Sequence, residues 1–169
     1  MGPFCYEDYQ LILKLKTKVM LLKVISGGQY GVDYIGLQVA KARGIPTGGT
    51  APKKWKVEGG FNPQLSTFGL VESKDLGYVS RTKQNVRDSD GTVLFGDMSS
   101  AGSALTLVFC KNYVKPYKIN PSSEELANWI KDMKINTLNI AGNRASKLTT
   151  HQKDSIADVL EGAFRLLGY

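Results

Sequence analysis

Three times along this chain a short aliphatic run ends in a cluster of glycine and serine that opens a helix-like stretch, and this rhythm restricts the fold more than any other feature. The first instance is Lys23-Val24-Ile25, then Ser26-Gly27-Gly28-Gln29-Tyr30-Gly31, then Val32-Asp33. The second is Gly91 to Phe95, followed by Gly96-Asp97-Met98-Ser99-Ser100-Ala101-Gly102-Ser103; the third is Thr137 to Ala141, followed by Gly142-Asn143-Arg144-Ala145-Ser146. The nearly continuous aliphatic stretch Val19 to Ile25 is what a strand buried on both faces of a parallel sheet requires. After it, Val32, Ile35, Val39 and Ala40 share one helical face, and Gly44 stands where a helix ends. Strand and helix alternate throughout, which predicts an α/β fold with a mainly parallel sheet and helices on both faces.

Further elements follow the same logic. Ile45 to Gly48 reads as a second strand, at an edge or beginning at Pro46. Gly49 to Leu70, with Gly59-Gly60, two prolines and Trp55, reads as a long loop of the kind used as a lid or binding loop. Ser73 to Asp88 suits a surface helix. A helix from about Ser103 would carry its apolar stripe on Ala104, Leu107 and Val108, with Lys111 at its polar end. Lys115 to Ile119 is a weaker strand, Ser122 with Glu125 forms a capping box for the next helix, and a last helix runs from about Thr150 with Ile156, Val159, Leu160, Ala163, Phe164 and Leu167 on one face. The 169 residues suit a single domain over 19–169 with an extension at 1–18.

The chemistry is restricted by what is scarce. There are two cysteines, Cys5 and Cys110, and one histidine, His151. They exclude most histidine-based catalytic triads, predict no intrinsic metal site, and favour a reducing cytoplasm. No run is apolar enough to span a membrane. The net charge of +7 favours anionic partners. Backbone amides of a glycine turn at a helix start are suited to phosphate, although Gly27, Gly28 and Gly31 match neither the dinucleotide fingerprint nor a P-loop.

Loops at the carboxyl ends of parallel strands share one edge, where ligands bind. The candidate ligand-binding set is therefore Ser26, Gly27, Gly28, Gln29, Gly31 and Asp33 in the first loop, Gly49 and Lys53 above the second strand, Asp97, Ser99, Ser100, Gly102 and Ser103 in the second glycine loop, and Gly142 and Arg144 in the third. Asp33 and Asp97 each suit either turn formation or a ligand hydroxyl. Arg81, Thr82 and Asn85 would present a polar face to a ligand or a second subunit, whereas Asp88 and Asp90 lie at the opposite end and suit turns. Steric need alone also places glycine at such turns.

The motifs Ile25-Ser26-Gly27-Gly28-Gln29-Tyr30-Gly31-Val32-Asp33, Gly44-Ile45-Pro46-Thr47-Gly48-Gly49 with Ala51-Pro52-Lys53, Tyr78 through Arg81-Thr82 and Asn85 to Thr92, and Leu138 to Gly142 together resemble the family of putative molybdenum carriers. The likeness covers nearly all of residues 23–167 and departs at Tyr30, where a threonine is usual. It implies a Rossmann-like three-layer fold related to molybdenum-cofactor carrier proteins, lysine-decarboxylase-like phosphoribohydrolases and the DNA-processing protein A group. It also implies a homo-oligomer, a dimer or tetramer, and a pterin phosphate or nucleotide-like ligand such as molybdenum cofactor. In the phosphoribohydrolases the second glycine loop ends in a catalytic glutamate, whose position here is Thr106. A non-catalytic carrier is therefore the expected function. A phosphoribohydrolase-type enzyme using Asp97 or Asp33 is the alternative, and a single-stranded nucleic-acid binder, resting only on charge and distant kinship, is the second.

Overall fold

The computed structural model describes Glu7, Gln10, Leu21 and residues 23–169. The extension expected at 1–18 and the start of the first predicted strand fall outside these apart from Glu7, Gln10 and Leu21. The described elements are β1 (Lys23–Ile25), α1 (Val32–Ala42), β2 (Thr47–Ala51), a hairpin of β3 (Lys56–Val57) and β4 (Gly60–Phe61), β5 (Leu70–Glu72), α2 (Val79–Asp88), β6 (Gly91–Phe95), α3 (Ala101–Asn112), β7 (Tyr117–Ile119), α4 (Ser123–Asp132), β8 (Thr137–Gly142) and α5 (Thr150–Leu166). Short 3₁₀ turns occupy Lys53–Trp55, Pro63–Phe68 and Ala145–Lys147.

Six strands form one sheet in the order β5-β2-β1-β8-β6-β7, and each adjacent pair runs parallel. Side chains alternate across it. Val24, Val93, Phe95, Leu138 and Ile140 point into the main core beneath α1, α4 and α5, which supply Val32, Leu126, Ile130, Leu160 and Phe164. On the opposite face Asn139 donates to Thr92 and lies under α3, whose Ser103, Thr106 and Cys110 are buried. The predicted α/β architecture with helices on both faces is therefore present.

Several expectations shift in detail. The second strand begins after Pro46, whose carbonyl accepts from the Val24 amide, and it lies inside the sheet. The stretch expected to be a long loop is an ordered excursion. Leu65, Leu70, Val57, Ala51 and Leu37 form a second small core under it, and it delivers the edge strand β5. A three-residue strand reached through 3₁₀ turns has too little alternation to be read from sequence. The surface helix starts at Val79, so the segment from Ser73 to Tyr78 is loop. In α3 the inward face is Ser103, Thr106 and Cys110, while Ala104 and Val108 are exposed. That helix is apolar on several sides, which left its periodicity without a direction. The capping box of Ser122 and Glu125 forms as expected, and Thr149 with Gln152 makes a second one for α5.

β8 is the last strand in the described chain and yet sits at the centre. It sends α5 to the main-core face, whereas its neighbour β6 sends α3 to the other face. Adjacent strands whose connections leave in opposite directions open a crevice at their carboxyl ends, here between Gly142-Asn143 and Gly96-Asp97.

Candidate functional site

The first glycine turn is filled from within. Asp33, 5% exposed, directs its carboxylate back into the turn, where the Gln29 amide donates to Oδ2 at 3.3 Å. The Gly28 amide donates to Ser26 Oγ (3.1 Å), the Tyr30 amide to Gln29 Oε1 (3.1 Å) and the Val32 amide to the Asn143 carbonyl (3.1 Å). A nest shaped for an anion thus already holds one belonging to the chain. Arg81 Nη1 pairs with Asp33 Oδ2 at 3.1 Å, and burial pushes the Asp33 carboxyl up from its ordinary value, an effect the Arg81 charge and the amides offset only in part. Arg81 Nε is buried without a hydrogen-bond partner.

Gly27 makes this arrangement possible, since a Cβ there would lie 1.5 Å from Arg81 Nη1. Gly27→Ala is therefore expected to expel the guanidinium from Asp33 and cost about 2–4 kcal/mol in urea unfolding. With Arg81→Ala added, the two losses should fall well short of additive, because the truncated side chain leaves room for the methyl group.

Gly31 joins the first loop to the third. Its φ is +115° and a Cβ would lie 2.4 Å from the Asn143 carbonyl; alongside, the Ala145 amide donates to the Tyr30 carbonyl at 2.7 Å and Gly31 bridges to Arg144. Only glycine accepts that backbone at that approach. The Tyr30 ring meets Tyr34 edge-on within the small second core.

The crevice between β8 and β6 is organised by Asn143, which is 4% exposed. Its Oδ1 accepts from the Asp97 amide (2.6 Å), and its Nδ2 donates to the Asp97 carbonyl (3.0 Å), to Ser100 Oγ (2.8 Å) and to Ser103 Oγ (3.3 Å). Sequence reasoning passed over Asn143 in favour of its neighbours Gly142 and Arg144. Its signal was an amide side chain directly after a glycine at a strand's end, next to a loop of hydroxyls. Asp97 accepts from the Ser99 amide and hydroxyl, bonds that hold its carboxyl below the ordinary range.

Ser100, the N-cap of α3, makes no side-chain cap. The Ala104 amide bonds to the Ser100 carbonyl, and the amides of Ala101, Gly102 and Ser103 find no partner among the described residues. A Cβ on Gly102 would meet nothing within 4 Å, so this helix start is open. Thr106 is turned inward, its Oγ1 donating to the Gly102 carbonyl at 2.9 Å.

The remaining candidates sit around this centre. Gly142 lies beneath the Phe95 carbonyl and Gly49 against the Ser26 backbone. Lys53 donates to the Lys74 carbonyl, and Arg144 faces Glu58, with Nε 3.8 Å from Oε1. Glu58 also accepts from the Ser146 amide, and the closeness of Ser146 holds that carboxyl below its ordinary range. Lys56 and Arg81 both lie over the Tyr78 ring, at 5.9 and 5.7 Å from its centre, and Lys147 lies near Asp97. Arg81, Thr82 and Asn85 all turn inward: Thr82 donates to the Tyr78 carbonyl, and Asn85 clamps both backbone groups of Thr50. Asp90 accepts from the Asn136 and Thr137 amides, a turn role at the far end. Among the described residues no group of three or more histidine, cysteine, aspartate or glutamate side chains is placed to hold a metal, and no helix is long and apolar enough to cross a membrane.

Sheet order, opposed crossovers and glycine loops along one edge define a Rossmann-like α/β protein with its crevice at the switch between β8 and β6. Residues 24–161 match the model of the circularly permutated YpsA SLOG family, and the chain belongs to that family. Counted from β8 as the first strand, the sheet order reads 4-3-2-1-5-6. The chain is also similar to a putative molybdenum carrier protein from Syntrophus aciditrophicus SB, whose crystal structure was determined at 1.45 Å: 35% identity, 88% of this chain and 96% of that one covered, TM-score 0.73. Two diphosphate reductases show only a faint likeness. An (E)-4-hydroxy-3-methyl-but-2-enyl diphosphate reductase has 12% identity and TM-score 0.37, covering 98% of this chain and 66% of its own. The Plasmodium falciparum E-1-hydroxy-2-methyl-but-2-enyl-4-diphosphate reductase has 12% identity and TM-score 0.33, covering 90% and 56%. Neither carries an argument about function. No curated protein matches the sequence.

Proposed function

We propose that the protein binds and carries a phosphorylated, nucleotide-like small molecule, with molybdenum cofactor the foremost candidate cargo, and does not transform it. The open start of α3 is the observation that supports this reading most. Unbonded amides at Ala101, Gly102 and Ser103, the positive end of the helix dipole and the Ser100 hydroxyl, which accepts from Asn143 and keeps its own proton, suit a phosphate group. Lys147 and Arg144 on the rim add charge of the right sign. The first glycine turn then acts as the wall that positions the third loop, because its anion place is taken by Asp33. Thr106, hydrogen-bonded to its own helix, stands where a glycosidic-bond-cleaving carboxylate would be needed, which favours carriage over cleavage. The name of the Syntrophus relative agrees with a carrier role. A homo-oligomer, a cytoplasmic location and a division into residues 1–18 and 19–169 belong to the same reading.

Thermal unfolding with adenosine 5′-monophosphate, a pterin phosphate, molybdate or tungstate tests it. At a ligand concentration about 100-fold above Kd the transition is expected to rise by about 5 °C or more. Gly102→Glu, which sets a negative charge in the open first turn, should abolish the rise while leaving the unliganded transition in place. No shift with any of the four compounds would count decisively against the reading.

A further inference from the structure

One cavity of the described structure lies apart from the glycine turns. It has a volume of about 440 Å³ and lies at the same carboxyl edge, between the ends of β6 and β7 and the first turns of α5. We propose that it takes an uncharged planar heterocycle, a purine-like or pterin-like ring, and so forms the ring-binding half of the site whose phosphate half is the start of α3. This rests on the reading given above.

Composition of the wall is the first argument. The chain carries 22 basic and 15 acidic residues, and none of them lines this cavity. Its floor is Phe95, Leu148 and Ile156, all buried, with Pro121 beside them, and its rim carries His151 and Ser155. Neither of those two rim side chains is hydrogen-bonded within the described residues, whereas the rim amides are in use: Asn120 clamps both backbone groups of Gly96, and Gln152 closes the capping box of α5. An apolar floor with one free hydroxyl and one imidazole can bury the face of a heterocycle and meet its edge. A phosphate there would lose hydration with no cation to replace it.

Position is the second argument. Gly96 forms part of the cavity wall, and the next residue, Asp97, begins the turn into α3 that Asn143 holds. The two helix starts on either side of this edge are also unlike in state. At α5 the Thr149 side chain caps the Gln152 amide, while at α3 no side chain caps the first turn. A ligand with a charged end and a flat neutral end is thereby given one orientation: phosphate toward α3, ring under α5.

His151 is the only histidine, so its ring proton resonances report on this cavity without ambiguity. Titration with adenosine 5′-monophosphate or uncharged 6-hydroxymethylpterin is expected to move them, and ribose 5-phosphate to leave them in place. Ser155→Trp, a change at an exposed position, should fill the cavity and weaken adenosine 5′-monophosphate binding at least tenfold with ribose 5-phosphate binding unchanged. Tight binding of the nucleotide with His151 unmoved and no effect of Ser155→Trp would overturn the proposal. If neither phosphate compound binds, the pterin titration alone decides the cavity: movement of His151 sustains it, and none overturns it, while the carrier reading is decided separately by the four-compound thermal test.

Discussion

Arg81→Met is expected to lower the unfolding free energy by about 3–5 kcal/mol at neutral pH, the largest single effect in the described structure. The substitution keeps most of the packing volume but leaves the Asp33 carboxylate buried with little beyond the Gln29 amide to hold it. The loss has a pH dependence whose sign follows from the direction of the Asp33 shift. Burial raises the folded-state pKa of Asp33 above its unfolded value, so the folded protein keeps this proton over a wider range than the unfolded chain. Its contribution is fully present below the unfolded pKa of about 3.9 and is lost as pH rises through the folded value. Removing Arg81 raises that folded value further. The deficit of Arg81→Met should therefore be small near about pH 4 and grow toward about pH 8, and Asp33→Asn in the same chain should flatten the profile. Urea unfolding across this range checks it. A deficit below about 1 kcal/mol at every pH would show that the pair is not a structural support.

The second large effect is expected at Asn143. Asn143→Leu preserves shape but removes one accepted hydrogen bond and the two amide protons shared among the Asp97 carbonyl, Ser100 Oγ and Ser103 Oγ, three bonds' worth of ties from β8 to the Asp97–Ser103 loop. Net contributions near 1 kcal/mol per bond give a loss of about 3 kcal/mol. Amide exchange distinguishes its local consequence: Asp97 should lose protection while Val24 and Ile140 keep theirs. Where ligand binding is measurable, affinity should fall with it, because this bond set orients the open start of α3. Full retention of exchange protection at Asp97 would refute the role given to Asn143.

The parallel sheet was legible because its central strands are continuous aliphatic runs bounded by glycine, as in Gly91 to Phe95, which the structure reproduces residue for residue. The capping boxes were legible because Ser122 with Glu125 is a local pattern that needs no partner elsewhere. The loops could be placed on one edge for the same reason, since strand direction fixes it. What the sequence did not disclose depends on distance. That Asp33 rather than a ligand meets the turn amides is decided by Arg81, 48 positions along the chain. That Asn143 organises the crevice is decided by Asp97, 46 positions before it. Residues so far apart announce no spacing rule, and the small residues of α3 gave no preferred face until α2 was packed beside them.

The central place of β8 has a consequence for synthesis on the ribosome. When α4 has emerged, β5-β2-β1 and β6-β7 exist only as two sheet fragments, each with an unsatisfied edge that β8 alone can pair. The nascent chain must hold two sticky half-sheets apart until its last strand arrives between them, and then join both in one event. Such a product asks for shelter by a chaperone during elongation, and a pause in translation after α4 is where it would be most exposed to misassembly.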